Sequence, residues 1–206
     1  MGAVHNNGAF IYLFGFAGSG KLTIAKAIAG RWDAVVVDNH HVNNVIFELI
    51  DIDQHGEGTL SDEVWDHVMR VRQAAMDAIR YLARPGRNFV FTNELIEGVD
   101  RHHVFFLEVA KVAADRGALL LPVRLAVDAD ELARRIASPE RVEKLKLTNP
   151  QVAVARAQNE EVFRPEGYDY MDLDVTALTP EESARLILAE LEQRQTRSQP
   201  NQGKAE

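Results

Sequence analysis

The chain has 206 residues, a formal net charge of −8 at pH 7, 46% hydrophobic residues and no cysteine. That length suits one domain with a sizeable core and a small lid. The missing cysteines exclude disulfides, thiol catalysis and cysteine-ligated metal, and the acidic balance makes a nucleic-acid partner unlikely.

No apolar run is long enough to cross a bilayer, and "MGAVHNNGAF" shows no basic segment leading into an apolar one. A cytoplasmic protein, monomer or homodimer, without a membrane partner is expected. In chain order, the apolar run at 9–15 closed by glycine reads as a buried strand, and 21–32 as a helix with Ile24, Ala27 and Ile28 on one face. "AVVVD" at 34–38 is the second strand. Val64, Val68, Val71, Ala75, Ile79 and Leu82 recur at helical spacing within 62–84, and Pro85-Gly86 stops that helix. "NFVFTN" at 88–93 is the third strand, 100–116 a helix, and 118–127 holds the fourth strand. Asp128 caps a helix through Ile136, with Glu131 at capping-box spacing. Residues 138–150 are polar, basic and bracketed by prolines. "YMDLDVT" is the fifth strand, and Thr179 with Pro180 starts a closing helix. The polar tail at 196–206 reads as disordered.

Strands alternating with helices imply parallel pairing, and sites in such sheets lie beyond the carboxyl ends of the strands. The residues nominated are therefore 15–23, 38–41, 93–97 and Thr176. The first of these is "GFAGSGKLT". Its glycines, Gly15, Gly18 and Gly20, let the backbone curl so that successive N–H groups point inward. The helix that follows adds its positive end, and Lys21 adds a mobile charge for the outer phosphates. Ser19 and Leu22 complete the loop. Leu22 stands where such loops usually have a serine or threonine, and Thr23 comes one place late. Either magnesium is not held directly by the residue after the lysine, or the loop is a variant.

"GFAGSGKLT" resembles the adenylate-kinase form of the loop, in which a variable residue separates the lysine from a threonine. That resemblance implies a Thr23 contact to phosphate or to a magnesium water. "ELARRIASPER" resembles the lid-flanking helix and lid arginine of small P-loop kinases, and "YMDLDVTALTPEE" their last strand and the loop beside the adenine. Nearly the whole chain is similar to the group that includes shikimate, gluconate and nucleoside monophosphate kinases and chloramphenicol phosphotransferase. Within it, the chain looks closest to a kinase-like branch carrying the AAA-type ATPase label. The resemblance implies an α/β P-loop NTPase fold. Its five-stranded parallel sheet would run in the order 2-3-1-4-5, with helices on both faces, a small lid, and ATP and Mg2+ as cofactors. It implies one domain over 1–195, with an acceptor-binding region at 39–86 and a lid at 138–150.

Similar kinases place an aspartate after the second strand, near the acceptor hydroxyl. Asp38 is the candidate for that group, and also for metal together with Thr23. The bland alternative is an Asp38 that caps the next helix, with Asn39 and His40 in a loop. Of the adjacent pair His40 and His41, at most one faces the site. Asn93 stands where many P-loop proteins have a magnesium-water aspartate; Thr92, Glu94, Glu97 or Asp38 are left to fill that role. Asp51, Asp53, His55 and Gly56 open a calcium-loop pattern that breaks down by Asp62, so an exposed acidic loop is the better reading. Arg134 and Arg135 are consecutive on a helix and so cannot share one face. One is assigned to adenine and the other to solvent acids. Arg141, Lys144 and Lys146 either close on the phosphates or form a solvated basic face. Trp65 and Met69 read as core. Arg70 and Arg72 are possible contacts for an anionic acceptor, although Asp66 and Arg70 are also spaced as a surface pair. Two functions compete: a small-molecule kinase phosphorylating a hydroxyl or phosphate acceptor, and a nucleotide-binding switch. Asp38 and the basic lid favour the first. Asn93 and Leu22 favour the second.

Overall fold

The computed structural model describes residues 7–50, 60–137 and 149–198. At its centre runs β1 (Ala9–Phe14), with every residue buried. It pairs in parallel with β3 (Asn88–Asn93) on one side and β4 (Leu119–Ala126) on the other. The outer strands are β2 (Ala34–Asp38) and β5 (Met171–Asp174), giving the order β2-β3-β1-β4-β5. All pairs are parallel, as the expected fold required.

A strand covered on both faces reads as a continuous apolar run, because side chains alternate between two cores. Phe10, Tyr12 and Phe14 enter an aromatic core with Phe89, Phe91 and residues of α3 (Asp62–Tyr81) and α4 (Asp100–Asp115). Tyr12 stacks on Phe106 at 5.8 Å between ring centroids. Ala9, Ile11 and Leu13 enter an aliphatic core with α1 (Lys21–Ala29) and α7 (Pro180–Ser198). Burying each large side chain contributes about 1.5–3 kcal/mol.

Several elements differ from the sequence reading. The sequence assigned no helix to 39–47, yet α2 (Asn39–Phe47) follows β2 directly and lies on α3, where the Phe47 ring meets Trp65 edge-on at 6.0 Å. After α5 (Ala129–Ile136), α6 (Pro150–Asn159) was also missed; Asn149 caps it through its side-chain oxygen. In α5 the Asp128 carboxylate does cap, but Glu131 makes no capping-box bond because it is drawn to two arginines. The capping box forms instead at α7, where Thr179 and Glu182 exchange bonds. That helix runs to Ser198, taking in the first three residues of the tail expected from 196 onward, and the rest of that tail lies outside the described residues. Most of the lid expectation, including Arg141, Lys144 and Lys146, lies outside the described residues, as does most of the calcium-like loop.

Because Phe14 pairs with Asn93 and Arg124, and Asp38 with Thr92, the carboxyl ends of β1, β2 and β3 form one rim. The chain crosses to opposite sides of β1 at this point, which is where such sheets open a crevice.

Candidate active site

Gly15 to Lys21 turn from β1 into α1. Gly18 and Gly20 have φ of +91° and +87°, a left-handed backbone that other residues adopt only with strain. A Cβ on Gly15 would sit 2.8 Å from the Leu125 carbonyl oxygen. One on Gly18 would sit 2.8 Å from Ile136 Cγ1 and 2.9 Å from Leu132 Cδ1. Ser19 is fully buried. The Lys21 ammonium folds over the loop, donating 2.8 Å bonds to the carbonyls of Gly15 and Phe16. An ammonium held on two carbonyls, above a turn leading to a helix N-terminus, fits a polyphosphate.

The loop opens into a cavity of about 650 Å³ that also reaches Asp38, Trp65, Arg101 and Arg156. Leu22 and Thr23 line it, and Thr23 is exposed. Asp38 is 4% exposed and stands at the cap position of α2, but its carboxylate makes no capping bond. It accepts instead a 2.6 Å bond from the Thr92 hydroxyl at Oδ1. Among the described residues no donor meets Oδ2. A carboxylate oxygen and an exposed threonine hydroxyl that line one cavity suit a magnesium ion that would keep most of its water and phosphate ligands. Among the described residues no group of three or more His, Asp or Glu side chains is placed to hold a metal ion.

Asn93 does not replace a metal-side acid. Its Nδ2 donates to Asn39 Oδ1 at 2.7 Å, and its Oδ1 accepts from the Tyr12 hydroxyl at 3.1 Å. Burial pushes the Tyr12 phenol up to about 12, so it stays a donor. Glu94 is also committed, to Arg156 at 3.2 Å, and Glu160 holds the same arginine at 3.1 Å. The return of residues 161–163 along 95–97 brings this group to the rim. Glu97 accepts from the Arg164 N–H.

His40 lines the cavity and His41 is exposed, as the adjacent pair required. Trp65, read as core, lines the cavity too. The Arg101 guanidinium lies over its ring, 4.6 Å from the centroid. Beside it His102 accepts the Ile96 N–H at Nδ1, 2.9 Å away. Burial, and then the Arg101 charge, push His102 down to about 4, so its imidazole is uncharged at neutral pH. Of the two arginines weighed for an anionic acceptor, Arg70 is exposed, and Arg72 is buried against Glu108 at 2.9 Å. The sequence reading missed Arg101, His102 and Arg156. The first two sit in the opening turn of α4, a few residues beyond the rim loop that it did nominate.

A second cavity of about 480 Å³ lies on the other side of Gly20 and Thr23, lined by Arg134, Arg135, Thr176 and Thr179. Consecutive arginines were expected to part. Instead both reach back to Glu131, Arg134 at 2.7 Å and Arg135 at 2.6 Å, because one carboxylate lies three and four residues earlier on the helix. Their hydrogen bonds bring the Glu131 carboxyl down to about 2. Arg135 also donates to the carbonyls of Val175 and Thr176, and Thr176 Oγ1 accepts the Asp128 N–H. The chain thus brings Arg134, Arg135 and Thr176 around one cavity and Gly18, Lys21, Leu22 and Asp38 around the other, with Gly20 and Thr23 lining both.

A gluconokinase from Sinorhizobium meliloti 1021 is 16% identical, matched over 95% of this chain and 99% of its own, at a TM-score of 0.57. The APS kinase of Mycobacterium tuberculosis, solved with AMPPNP and APS, is 19% identical over 90% of this chain and 98% of its own, at 0.55. A tunicamycin resistance protein of Deinococcus radiodurans is 17% identical over 89% and 95%, at 0.59. At such identities the likeness is one of fold. A search of the curated proteins finds no match. Residues 8–192 match the family model of chloramphenicol phosphotransferase-like proteins. The chain belongs to the chloramphenicol phosphotransferase-like family, and with that fold and family it is a P-loop small-molecule kinase.

Proposed function

We propose that the protein transfers the γ-phosphate of ATP to a hydroxyl of a small metabolite, and that Asp38 orients that hydroxyl. The observation that carries this reading is the state of Asp38. It is buried at the cavity, held by Thr92, and left unused as a helix cap. The backbone of Gly18 to Thr23 and the Lys21 ammonium hold the outer phosphates. Arg134, Arg135 and Thr176 border the base. The adenine nucleotide seen in the APS kinase of the same fold supports ATP as donor.

The acceptor oxygen bonds to the γ-phosphorus, the bond from that phosphorus to the β–γ bridging oxygen breaks, and ADP leaves. The acceptor proton passes late to Asp38, since a loose transition state needs little base strength. A magnesium ion held here would supply charge neutralisation at the phosphates. Thr23 and Asp38 Oδ2 are the groups that would face it or its waters. Incubating the purified protein with ATP, magnesium and a library of hydroxylated metabolites tests the proposal. Acceptor-dependent ADP release that disappears in Asp38→Asn is expected. ADP release without any phosphorylated product would favour the nucleotide-switch reading.

A further inference from the structure

Among the described residues, the acceptor end of the larger cavity holds one arginine without a counter-charge. Nine described arginines are buried or half-buried. Seven of them, among them Arg72, Arg80 and Arg156, pair with an acid. Arg116 donates to main-chain carbonyls at the end of α3. Arg101 is the remaining one: among the described residues it makes no ion pair, and its Nε is buried without a hydrogen-bond partner. A buried guanidinium N–H left unbonded is costly. The Nε atoms of Arg80 and Arg116 share that state, but of the three only Arg101 lines the cavity and lacks both an acid and a carbonyl partner among the described residues.

The neighbours do not supply that partner. Glu94 and Glu160 both form ion pairs with Arg156, and neither pairs with Arg101. His102 has its Nδ1 occupied by the Ile96 N–H. Asp38 accepts from Thr92 at Oδ1 and makes no ion pair among the described residues. The Trp65 ring covers one face of the guanidinium, so a partner for its N–H groups approaches in the guanidinium plane. A planar donor fork matches a carboxylate or a phosphate monoester, each of which accepts two parallel bonds.

We infer that the phosphate acceptor carries an anionic group, a carboxylate or a phosphate monoester, which Arg101 grips while the hydroxyl to be phosphorylated lies toward Asp38. This rests on the phosphotransfer reading of the same cavity and narrows its substrate to hydroxyl-bearing anions.

The test uses pairs that share the hydroxyl and differ in the anionic group: mandelate against mandelamide, and glycerol 3-phosphate against glycerol. The full chain carrying Trp32→Phe leaves Trp65 as the only tryptophan of the two. It is first saturated with AMPPNP and magnesium, so that the phosphate loop is filled. Binding is then read from Trp65 fluorescence. At least one anion should bind more tightly than its neutral partner. Arg101→Gln should weaken that anion about ten- to a hundredfold and leave the neutral compound unchanged, while Arg101→Lys keeps part of the preference. A larger gap in the first pair names a carboxylate, and in the second a phosphate monoester. Equal binding within both pairs, binding by neither anion, or a preference that survives Arg101→Gln in a folded protein would overturn the inference. With ATP in place of AMPPNP the two proposals separate. Transfer to a neutral compound regardless of Arg101 leaves phosphotransfer standing and removes the anion. Arg101-dependent anion binding with no transfer to any compound does the reverse.

Discussion

The Thr92 hydroxyl donates a 2.6 Å hydrogen bond to Asp38 Oδ1, tying together the last residue of β2 and its register partner in β3. This bond fixes the rotamer of the carboxylate assigned to the acceptor hydroxyl. Thr92→Val keeps the shape and removes the donor. It should lower kcat roughly tenfold while leaving AMPPNP affinity unchanged. Full kcat in Thr92→Val would show that the bond has no catalytic consequence.

Asp38→Asn separates the two roles open to the carboxylate. In both, transfer to an acceptor should fall by roughly 10²–10⁴. Only a metal role should also suppress slow ATP hydrolysis without acceptor and raise the magnesium needed for half-maximal activity. Steady-state kinetics across a magnesium series distinguishes them, and unchanged transfer would refute both.

Lys21→Ala should weaken AMPPNP binding about ten- to a hundredfold, because a charged donor to the outer phosphates is lost. The far-UV circular dichroism should not change, since the Lys21 bonds lie within the loop itself. Calorimetric titration giving the wild-type affinity would remove Lys21 from the site.

Asn93→Asp restores the acid common at this place in P-loop proteins. Here it should destabilise. The Asn93 Nδ2 donates to Asn39 Oδ1 at 2.7 Å, and an aspartate would set two acceptors face to face. A loss of about 1–3 kcal/mol in denaturant unfolding is expected. A variant as stable as wild type would mean that this amide bond is not what holds asparagine here.

His102 should make stability depend on acid. It is held down at about 4, against an ordinary 6.5, by burial first and the Arg101 charge second; Arg156 lowers it further and Glu160 opposes. The unfolded chain takes up this proton near 6.5 and the folded chain only near 4. The contribution is therefore complete above pH 6.5 and is lost as pH falls toward 4. In His102→Gln, whose amide oxygen can still accept the Ile96 N–H, the fall in melting temperature across that window should be smaller. Parallel curves for the two proteins would contradict the assignment.

The strands were legible because a strand sandwiched between two helical layers must be apolar throughout, and Gly15, Asp38 and Asn93 end such runs. Lys21 and Asp38 were legible for the same reason, since the rule that sites lie beyond strand ends points at them directly. Arg101 and Trp65 were not. They meet because α3 and α4 pack side by side, and no local pattern records that Trp65 turns to the cavity while Met76 turns to the core. "NHHVNNVIF" contains mostly weak helix formers, and α2 lies against α3 through contacts such as Phe47 on Trp65. For α6 the signal was present, an Asn149 cap followed by Pro150, but the basic character of the preceding stretch drew the reading toward a lid. The arginine pair failed for a simpler reason. Long side chains starting on different sides of a helix can bend to one carboxylate.

Gly18 rests against Leu132 and Ile136 so closely that an added carbon would have to displace one of those side chains. The phosphate loop and the inner face of α5 are therefore one mould, with its parting line at position 18. Any change of volume at 132 or 136 alters the seat of the loop, and any side chain at 18 lifts the helix from it. In diverging copies of this chain, the three positions should be free to change only in concert. A graft of a foreign α5 segment onto this loop should succeed or fail according to the two residues that face the glycine, whatever else the segment carries.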